Sequence, residues 1–430
     1  MKNKILNLIK KKKCVVGVVG LGYVGLDLLI TLSKNKTKLI GFDIDIKKIK
    51  KIKKNISYIN YIGNEQIKIL NKYTKIYNNF SKISDCDIII ICLPTPLNKS
   101  REPDLSAIKK IIKDINIYLK KGQTVILEST TYPGTTEDII VKKLENKFKI
   151  GTNFFIGYSP ERVDPGRKTL NVDIPKIVSG KTNNCLNIIN SFYSTFFKTI
   201  KVKNIETAEI TKLYENIYRS VNIGLANEMK IICNKLSINI YDVIKAAKTK
   251  PFGFSAFYPG PGLGGHCVPI DPFYLSWKVK SLGLTTRFIE LAGEINNNMP
   301  NWIVNKINEI LNNRMLSLSR SKILMVGLSY KKNVNDLRES PSIKIHNILS
   351  YKKTTIDLFD PLFTKNEISK IFSNSKFFNK INYKEIKKYD AVLIVTDHDS
   401  INYKEIAKYS KLIIDTRGRY EFTNKNIFSI

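Results

Sequence analysis

Val15-Val16-Gly17-Val18-Val19-Gly20-Leu21-Gly22-Tyr23-Val24-Gly25 is the stretch whose reading decides the fold. Its first five residues show no polar alternation, as in a strand buried on both faces of a parallel sheet. In the Gly20-x-Gly22-x-x-Gly25 spacing, the first glycine makes the tight turn. The second lets backbone approach a pyrophosphate, and the third lets a helix pack on the strand. Tyr23 and Val24 fall inside the same motif. Asp43 ends the next apolar run, about twenty residues on, where a carboxylate takes both ribose hydroxyls and repels a 2′-phosphate. A dinucleotide site preferring NAD over NADP is expected. Lys48 stands either beside the adenosine or on the open surface.

Further apolar runs at 38–42, 88–92, 125–128, 154–157 and 176–178 alternate with lysine-rich, helix-length stretches, the pattern of a doubly wound parallel sheet. From Glu206 to Leu236 the period changes: Ile210, Leu213, Ile217 and Val221 recur every three or four residues, as in one long helix. Strand signals return at Lys322, and with them an internal repeat. Val18-Val19-Gly20-Leu21-Gly22-Tyr23 is echoed by Met325-Val326-Gly327-Leu328-Ser329-Tyr330, and Phe42-Asp43 by Phe359-Asp360. The α/β architecture expected is two Rossmann-like domains, 1–204 and 317–430, joined by a central helical domain over 205–316. Ser329 replaces the glycine of the pyrophosphate turn, so the second domain is expected to hold a different nucleotide in a different way.

The chain has 430 residues and a formal charge of +34, from 71 Lys and Arg against 37 Asp and Glu. Its lysines are spread evenly instead of forming a basic arm with interleaved aromatics, which argues against a nucleic-acid partner. The six cysteines, Cys14, Cys86, Cys92, Cys185, Cys233 and Cys267, have no metal-ligand spacing, and several lie in apolar runs where Cys behaves as a small hydrophobe. No metal is expected. No run approaches the roughly 18 apolar residues of a membrane span, so the expectation is a cytoplasmic chain without a membrane partner.

Candidate chemistry gathers at three strand ends and one loop. Thr95, between Pro94 and Pro96, Thr130 in Glu128-Ser129-Thr130, and Glu161 in Ser159-Pro160-Glu161-Arg162 all follow strands at the edge where such sheets bind ligands. Thr130 and Glu161 taken singly read equally well as loop caps. The segment Gly260-Pro261-Gly262-Leu263-Gly264-Gly265-His266-Cys267-Val268-Pro269-Ile270-Asp271 is rich in glycine, as where backbone passes close to a ligand. Cys267 at its end, with Asp271 four residues on, has the surroundings of a nucleophile. His266 is a base by type, yet a lone His beside a Cys is more often a structural hydrogen-bonder. Lys212 and Asn216, one helical turn apart, make either a solvated face or a pair that holds an oxyanion.

In the order and type of these motifs the chain resembles the UDP-glucose/GDP-mannose dehydrogenase family over nearly its whole length. Phe252-Gly253-Phe254, the Tyr258 to Cys267 loop, Ser159-Pro160-Glu161-Arg162-Val163-Asp164-Pro165-Gly166 and Asp336-Leu337-Arg338-Glu339-Ser340-Pro341 look like its UDP-N-acetylglucosamine 6-dehydrogenase branch. The resemblance implies a four-electron oxidation of the sugar 6-hydroxymethyl with NAD, through a covalent intermediate on Cys267. It implies that Asp271 partners the cysteine, that Lys212 and Asn216 stabilise the oxyanion, and that Thr130 and Glu161 handle water and protons. Tyr258, Gly262, Gly264, Lys331 and Arg417 would contact the UDP-sugar and Arg338 the NAD. A homodimer is implied too. Rival readings are UDP-N-acetylmannosamine, UDP-glucose or an N-acetylgalactosamine epimer as substrate, a single-step alcohol dehydrogenase or decarboxylating hydroxyacid enzyme, and a nonenzymatic nucleotide-binding scaffold.

Overall fold

The computed structural model describes residues 1–59, 61–98, 100–162, 174–265, 267–372, 374–420 and 425–430. They divide into two compact units, Met1–Glu215 with Phe273–Thr285, and Asn216–Pro272 with Thr286–Ile430.

The first unit is built on a six-stranded parallel sheet of β1 (Val15–Val19), β2 (Lys38–Phe42), β3 (Thr74–Tyr77), β4 (Ile88–Ile91), β5 (Thr124–Leu127) and β6 (Phe155–Tyr158). Its strand order, β3-β2-β1-β4-β5-β6, is that of dinucleotide-binding sheets, in which the reversal between β1 and β4 opens a crevice at the strands' carboxyl ends. All four isoleucines of β4 are buried because helices cover both faces. At the sheet edge, β3 buries Thr74 and Ile76 but turns Lys75 outward. A search for continuous apolar runs passes over such an edge strand.

One expected strand belongs elsewhere. β7 (Lys176–Val178) pairs with β8 (Thr199–Lys201) in a separate two-stranded sheet, outside the main one. It packs against the Asn183–Tyr193 helix, and that cover buries it as completely as sheet membership would, so its composition cannot tell the two cases apart.

Within the second unit the same permutation recurs. β9 (Lys322–Val326), β10 (Thr355–Phe359), β11 (Phe377–Phe378), β12 (Ala391–Ile394), β13 (Ile413–Asp415) and β14 (Ile427–Ser429) run in the order β11-β10-β9-β12-β13-β14. The internal echo in the sequence extends to single atoms. Gly20 N–H donates to Phe42 O at 2.8 Å, and Gly327 N–H to Phe359 O at 2.9 Å. Asp43 Oδ2 accepts from Leu21 N–H at 2.8 Å and Oδ1 from Asp45 N–H at 2.8 Å. Asp360 repeats both contacts, with Leu328 N–H at 2.7 Å and Leu362 N–H at 2.9 Å. Each strand-ending aspartate thus ties a glycine turn to the neighbouring strand. The Arg287–Asn312 helix supplies Ile303, Val304 and Ile307 to the core beneath this second sheet.

The long helix runs Ile205–Lys235 and contributes residues to both units. Leu213 and Ile217 are buried as its periodicity predicts, whereas Ile210 is exposed, because the apolar residues of this helix occupy two faces. No helix among the described residues is long and apolar enough to cross a membrane.

The turn after β1 demands glycine in two different senses. Gly20 has φ +92°, open to glycine and strained for other residues, and a Cβ on Gly25 would stand 1.9 Å from Gly20 O. At Gly22 a Cβ would meet nothing within 4 Å. Gly25→Ala is therefore expected to lose about 1–3 kcal/mol by overpacking, and Gly22→Ala to leave stability unchanged, both read by urea denaturation.

Candidate functional site

Backbone groups and one carboxylate shape the crevice of the first unit. Gly22 caps the Tyr23–Ser33 helix in extended conformation, and Tyr23 and Val24, in the helix's first turn, are each about a third exposed. An open glycine at a helix N-terminus fits a pyrophosphate. Beside it Asp43 is buried, each oxygen holding one backbone N–H, with lone pairs remaining for ribose hydroxyls. Lys48 Nζ lies 3.5 Å from Asp43 Oδ2, which makes it this carboxylate's companion. The Tyr58 hydroxyl donates to Leu21 O and braces the turn, a contact that sequence periodicity gave no means of finding.

The strand ends converge in part. Thr95 Oγ1 donates to Thr130 O at 2.8 Å, joining the segments after β4 and β5, and the Tyr274 hydroxyl donates to Thr95 O at 2.5 Å. Glu128, by contrast, points into the protein. Its Oε1 accepts from the Tyr193 hydroxyl and lies 3.0 Å from Lys176 Nζ. Lys176 also donates to Glu161 Oε2 at 2.9 Å, while Glu161 Oε1 accepts from Arg162 N–H at 2.6 Å. The Arg162 guanidinium spans both oxygens of Glu215, at 3.2 and 2.5 Å, and donates to Pro175 O at 2.8 Å. Burial raises the Glu128 carboxyl above its usual range against the pull of Lys176. For Lys176 burial works to lower the ammonium, but the two carboxylates outweigh it and the net direction is upward.

The glycine-rich loop lies in the second unit. Gly260 N–H donates to Asn227 Oδ1 at 2.9 Å, and the Asn227 amide donates to Asn296 Oδ1 at 2.8 Å. Gly262 backs onto Asn296 O. Gly264 and Gly265 pack so closely on Tyr330 that Cβ atoms there would stand 2.5 and 2.8 Å from it, and Gly265 N–H donates to Arg338 O at 2.9 Å. Cys267 emerges from this brace exposed, whereas Cys14, Cys86, Cys92, Cys185 and Cys233 are buried. Asp271 N–H returns to Cys267 O at 2.8 Å, and buried Asp271 accepts the Asn216 amide on Oδ2 at 2.6 Å. Lys212 lies one turn before Asn216 on the same helix and is also buried, so the pair is no solvated face. His266 and the Val163-Asp164-Pro165-Gly166 motif lie outside the described residues.

Of the other residues expected to meet substrate or cofactor, Tyr258 is exposed. Arg338 grips Asp336 at 2.6 Å, and Lys331 directly follows the Tyr330 that seats the loop. Arg417 Nε donates to Val395 O at 2.7 Å, and its guanidinium fills the space above Gly260. In the second sheet the corresponding turn and aspartate are engaged from within the protein. His398 accepts Asn333 N–H on Nδ1 at 2.9 Å, which leaves the ring proton on Nε2, 3.1 Å from Asp360 Oδ2 and 3.2 Å from Ser329 Oγ. A dinucleotide bound as in the first domain would have to displace these contacts.

Behind Arg417 lies a buried amine that sequence reading missed among so many lysines. Lys230 Nζ donates to Thr416 O at 2.9 Å, and the Tyr241 hydroxyl donates to the same carbonyl at 3.1 Å. Burial pushes the Lys230 ammonium down to about 7, with Asp415 pulling the other way. Since the unfolded chain binds this proton up to the ordinary lysine range, the native state carries the penalty in full below pH 7, and loses it as pH rises above that value. Lys230→Met is accordingly expected to be more stable than the parent at pH 6, with an advantage that shrinks towards pH 10, measured by urea denaturation across that range.

Comparison with known proteins agrees with this arrangement. Residues 14–197 match the NAD-binding domain, 206–298 the central domain and 324–422 the UDP-binding domain of the UDP-glucose/GDP-mannose dehydrogenase family. Protein CapL of Staphylococcus aureus is 37% identical over 389 residues, covering 89% of each chain. UDP-N-acetyl-D-glucosamine 6-dehydrogenase of Pseudomonas aeruginosa is 36% identical over 355 residues, 81% of this chain and 83% of that one. The structure of UDP-D-ManNAc dehydrogenase from Pyrococcus horikoshii superposes with a TM-score of 0.86 at 30% identity, covering 96% of this chain and 98% of that one. Three domain matches in one order and relatives of this likeness over most of their length make the chain a member of the UDP-glucose/GDP-mannose dehydrogenase family, an NAD-dependent oxidoreductase with a UDP-binding domain.

Proposed function

We propose that the chain oxidises the 6-hydroxymethyl group of UDP-N-acetylglucosamine to the carboxylate of UDP-N-acetylglucosaminuronate. The observation that carries this reading is the exposed Cys267 on a braced glycine loop, in a chain whose other cysteines are buried. The balanced reaction converts the alcohol, two NAD⁺ and one water into the carboxylate, two NADH and three protons. NAD, held by Gly20, Gly22, Gly25, Asp43 and Thr95, supplies the hydride acceptor. The Cys267 thiolate adds to the C6 aldehyde carbon, and the oxygen takes a proton to give a thiohemiacetal; after the second oxidation, water displaces the thiolate from the thioester. Lys212 and Asn216 hold the oxyanion in both additions, and Asp271 steadies the Asn216 amide. Glu161 accepts the proton of the attacking water, which Thr130 orients. Covalent capture keeps the aldehyde from escaping between the two oxidations. In the 317–430 domain Lys331 and Arg417 bind the UDP moiety, joined by backbone at Gly262 and Gly264. UDP-N-acetylmannosamine is the second reading, favoured by the likeness to the Pyrococcus structure.

A homodimer fits one further feature. Tyr214, Tyr218, Leu225, Met229 and Ile232 recur at three-, four- and seven-residue spacings along the Ile205–Lys235 helix and are all exposed, an apolar stripe of the kind that a second copy covers. Leu225→Asp with Met229→Asp is expected to bring the mass seen by light scattering down to that of one chain.

The decisive assay offers purified protein NAD with each UDP-sugar in turn. Two NADH per sugar are expected, with UDP-N-acetylglucosamine giving the highest kcat/KM, and Cys267→Ser is expected to lower kcat by roughly three orders of magnitude or more. One NADH per sugar, or a Ser variant at the parental rate, would rule out the covalent route.

A further inference from the structure

We propose that Lys176 is a positioning residue for this reaction, a buried cation that sets the orientation and ionisation of Glu161 from behind. The inference rests on Glu161 being the proton acceptor described above. Lys176 opens β7, whose place outside the main sheet brings its side chain under the segment that follows β6. There one ammonium serves two carboxylates, Glu161 Oε2 at 2.9 Å and Glu128 Oε1 at 3.0 Å. The Lys176 side chain is 5% exposed, that of Glu128 0% and that of Glu161 20%. Of these three groups Glu161 is the most exposed, so a change in the cluster's charge is read out there.

Other charged and titratable groups among the described residues also surround Glu161, and Lys176 is the cation placed between its carboxylate and that of Glu128. Arg162, next in sequence, commits its guanidinium to Glu215 on the long helix and to Pro175 O. Asp27, from the Tyr23–Ser33 helix, lines the same small cavity as Glu161 and Lys176, and adds negative charge. Tyr193 and Cys92 both contact Glu128, the former donating to Oε1 and the latter 3.9 Å from Oε2, and neither supplies a positive charge. The rings of Tyr193 and Phe197 lie 5.4 and 5.7 Å from Lys176 Nζ, closing the ammonium off from water. Without the cation, Glu161 would sit beside a second carboxylate that is wholly buried, and its proton affinity would rise. Without Glu128, the cation would attend Glu161 alone, and that affinity would fall.

The test is the pH dependence of kcat/KM for the full-length enzyme with NAD and UDP-sugar. Lys176→Met is expected to move the acidic limb up by about one pH unit or more and to lower kcat/KM at pH 7 roughly tenfold or more, while Lys176→Arg keeps the limb near the parent's. Glu128→Gln is expected to move it down. Met and Gln variants whose limbs shift in the same direction, or do not shift, overturn the proposal; a merely structural lysine would lower activity without opposite shifts. If Lys176→Met does not fold, a limb in Glu128→Gln that fails to move down overturns it. Glu161→Gln separates the two layers. A parental rate and profile in that variant removes Glu161 from the chemistry, whereas a slow Glu161→Gln beside a parental Lys176→Met defeats only the role given to Lys176.

Discussion

The contact on which the first domain depends is the approach of the Tyr23–Ser33 helix to the end of β1, so close that the space of one methyl group at Gly25 is already taken by Gly20 O. Because the helix sits that near, its N–H groups open onto the crevice between β1 and β4. Because Asp43 is tied to Leu21 N–H, its carboxylate is fixed at the rim of that crevice before any ligand arrives. The crevice proposed to receive NAD is thus a by-product of how a helix is seated on a strand.

The second sheet uses the same construction and reaches a different end. Asp360 repeats the contacts of Asp43, and Gly327 those of Gly20. Two substitutions in kind separate the domains: a hydroxyl at Ser329 in place of a bare turn, and an imidazole at His398 that occupies the aspartate. With its aspartate engaged from inside, the second sheet leaves the proposed contacts with UDP to other residues, among them the loop seated on Tyr330 and the Arg417 side chain above Gly260.

Much of this was legible in the sequence, and the exceptions have physical causes. Central strands announce themselves because both faces are buried; β3, β11, β13 and β14 are short or lie towards the edges and do not. Lys176–Val178 was legible as a strand but not as a stranger to the main sheet, since burial under a helix selects the same residues. Gly20, Gly22, Gly25 and Asp43 could be read together because backbone geometry restricts those positions to few residue types. Glu128 and Glu161 stood out as strand-end carboxylates, yet which of them points inward depends on Lys176, and a lysine among many carries no mark in sequence. Lys230 was hidden for the same reason. The asparagine chain from Gly260 through Asn227 to Asn296 joins residues far apart in sequence by amide contacts, for which no periodicity exists.

The shared strand permutation has a consequence for how the chain is made. β1 and β9 are five-residue strands, each buried over its last four positions, that seek the same kinds of neighbours, on either side, in the same direction. In a refolding vessel both compete for either set, and parallel sheets, whose contacts are all distant in sequence, form slowly enough for such mispairing to matter. On the ribosome the competition does not arise in that form, because β1 to β6 have left the exit tunnel and can close their sheet before β9 is synthesised. Vectorial emergence therefore partitions in time two halves that composition alone would not keep apart.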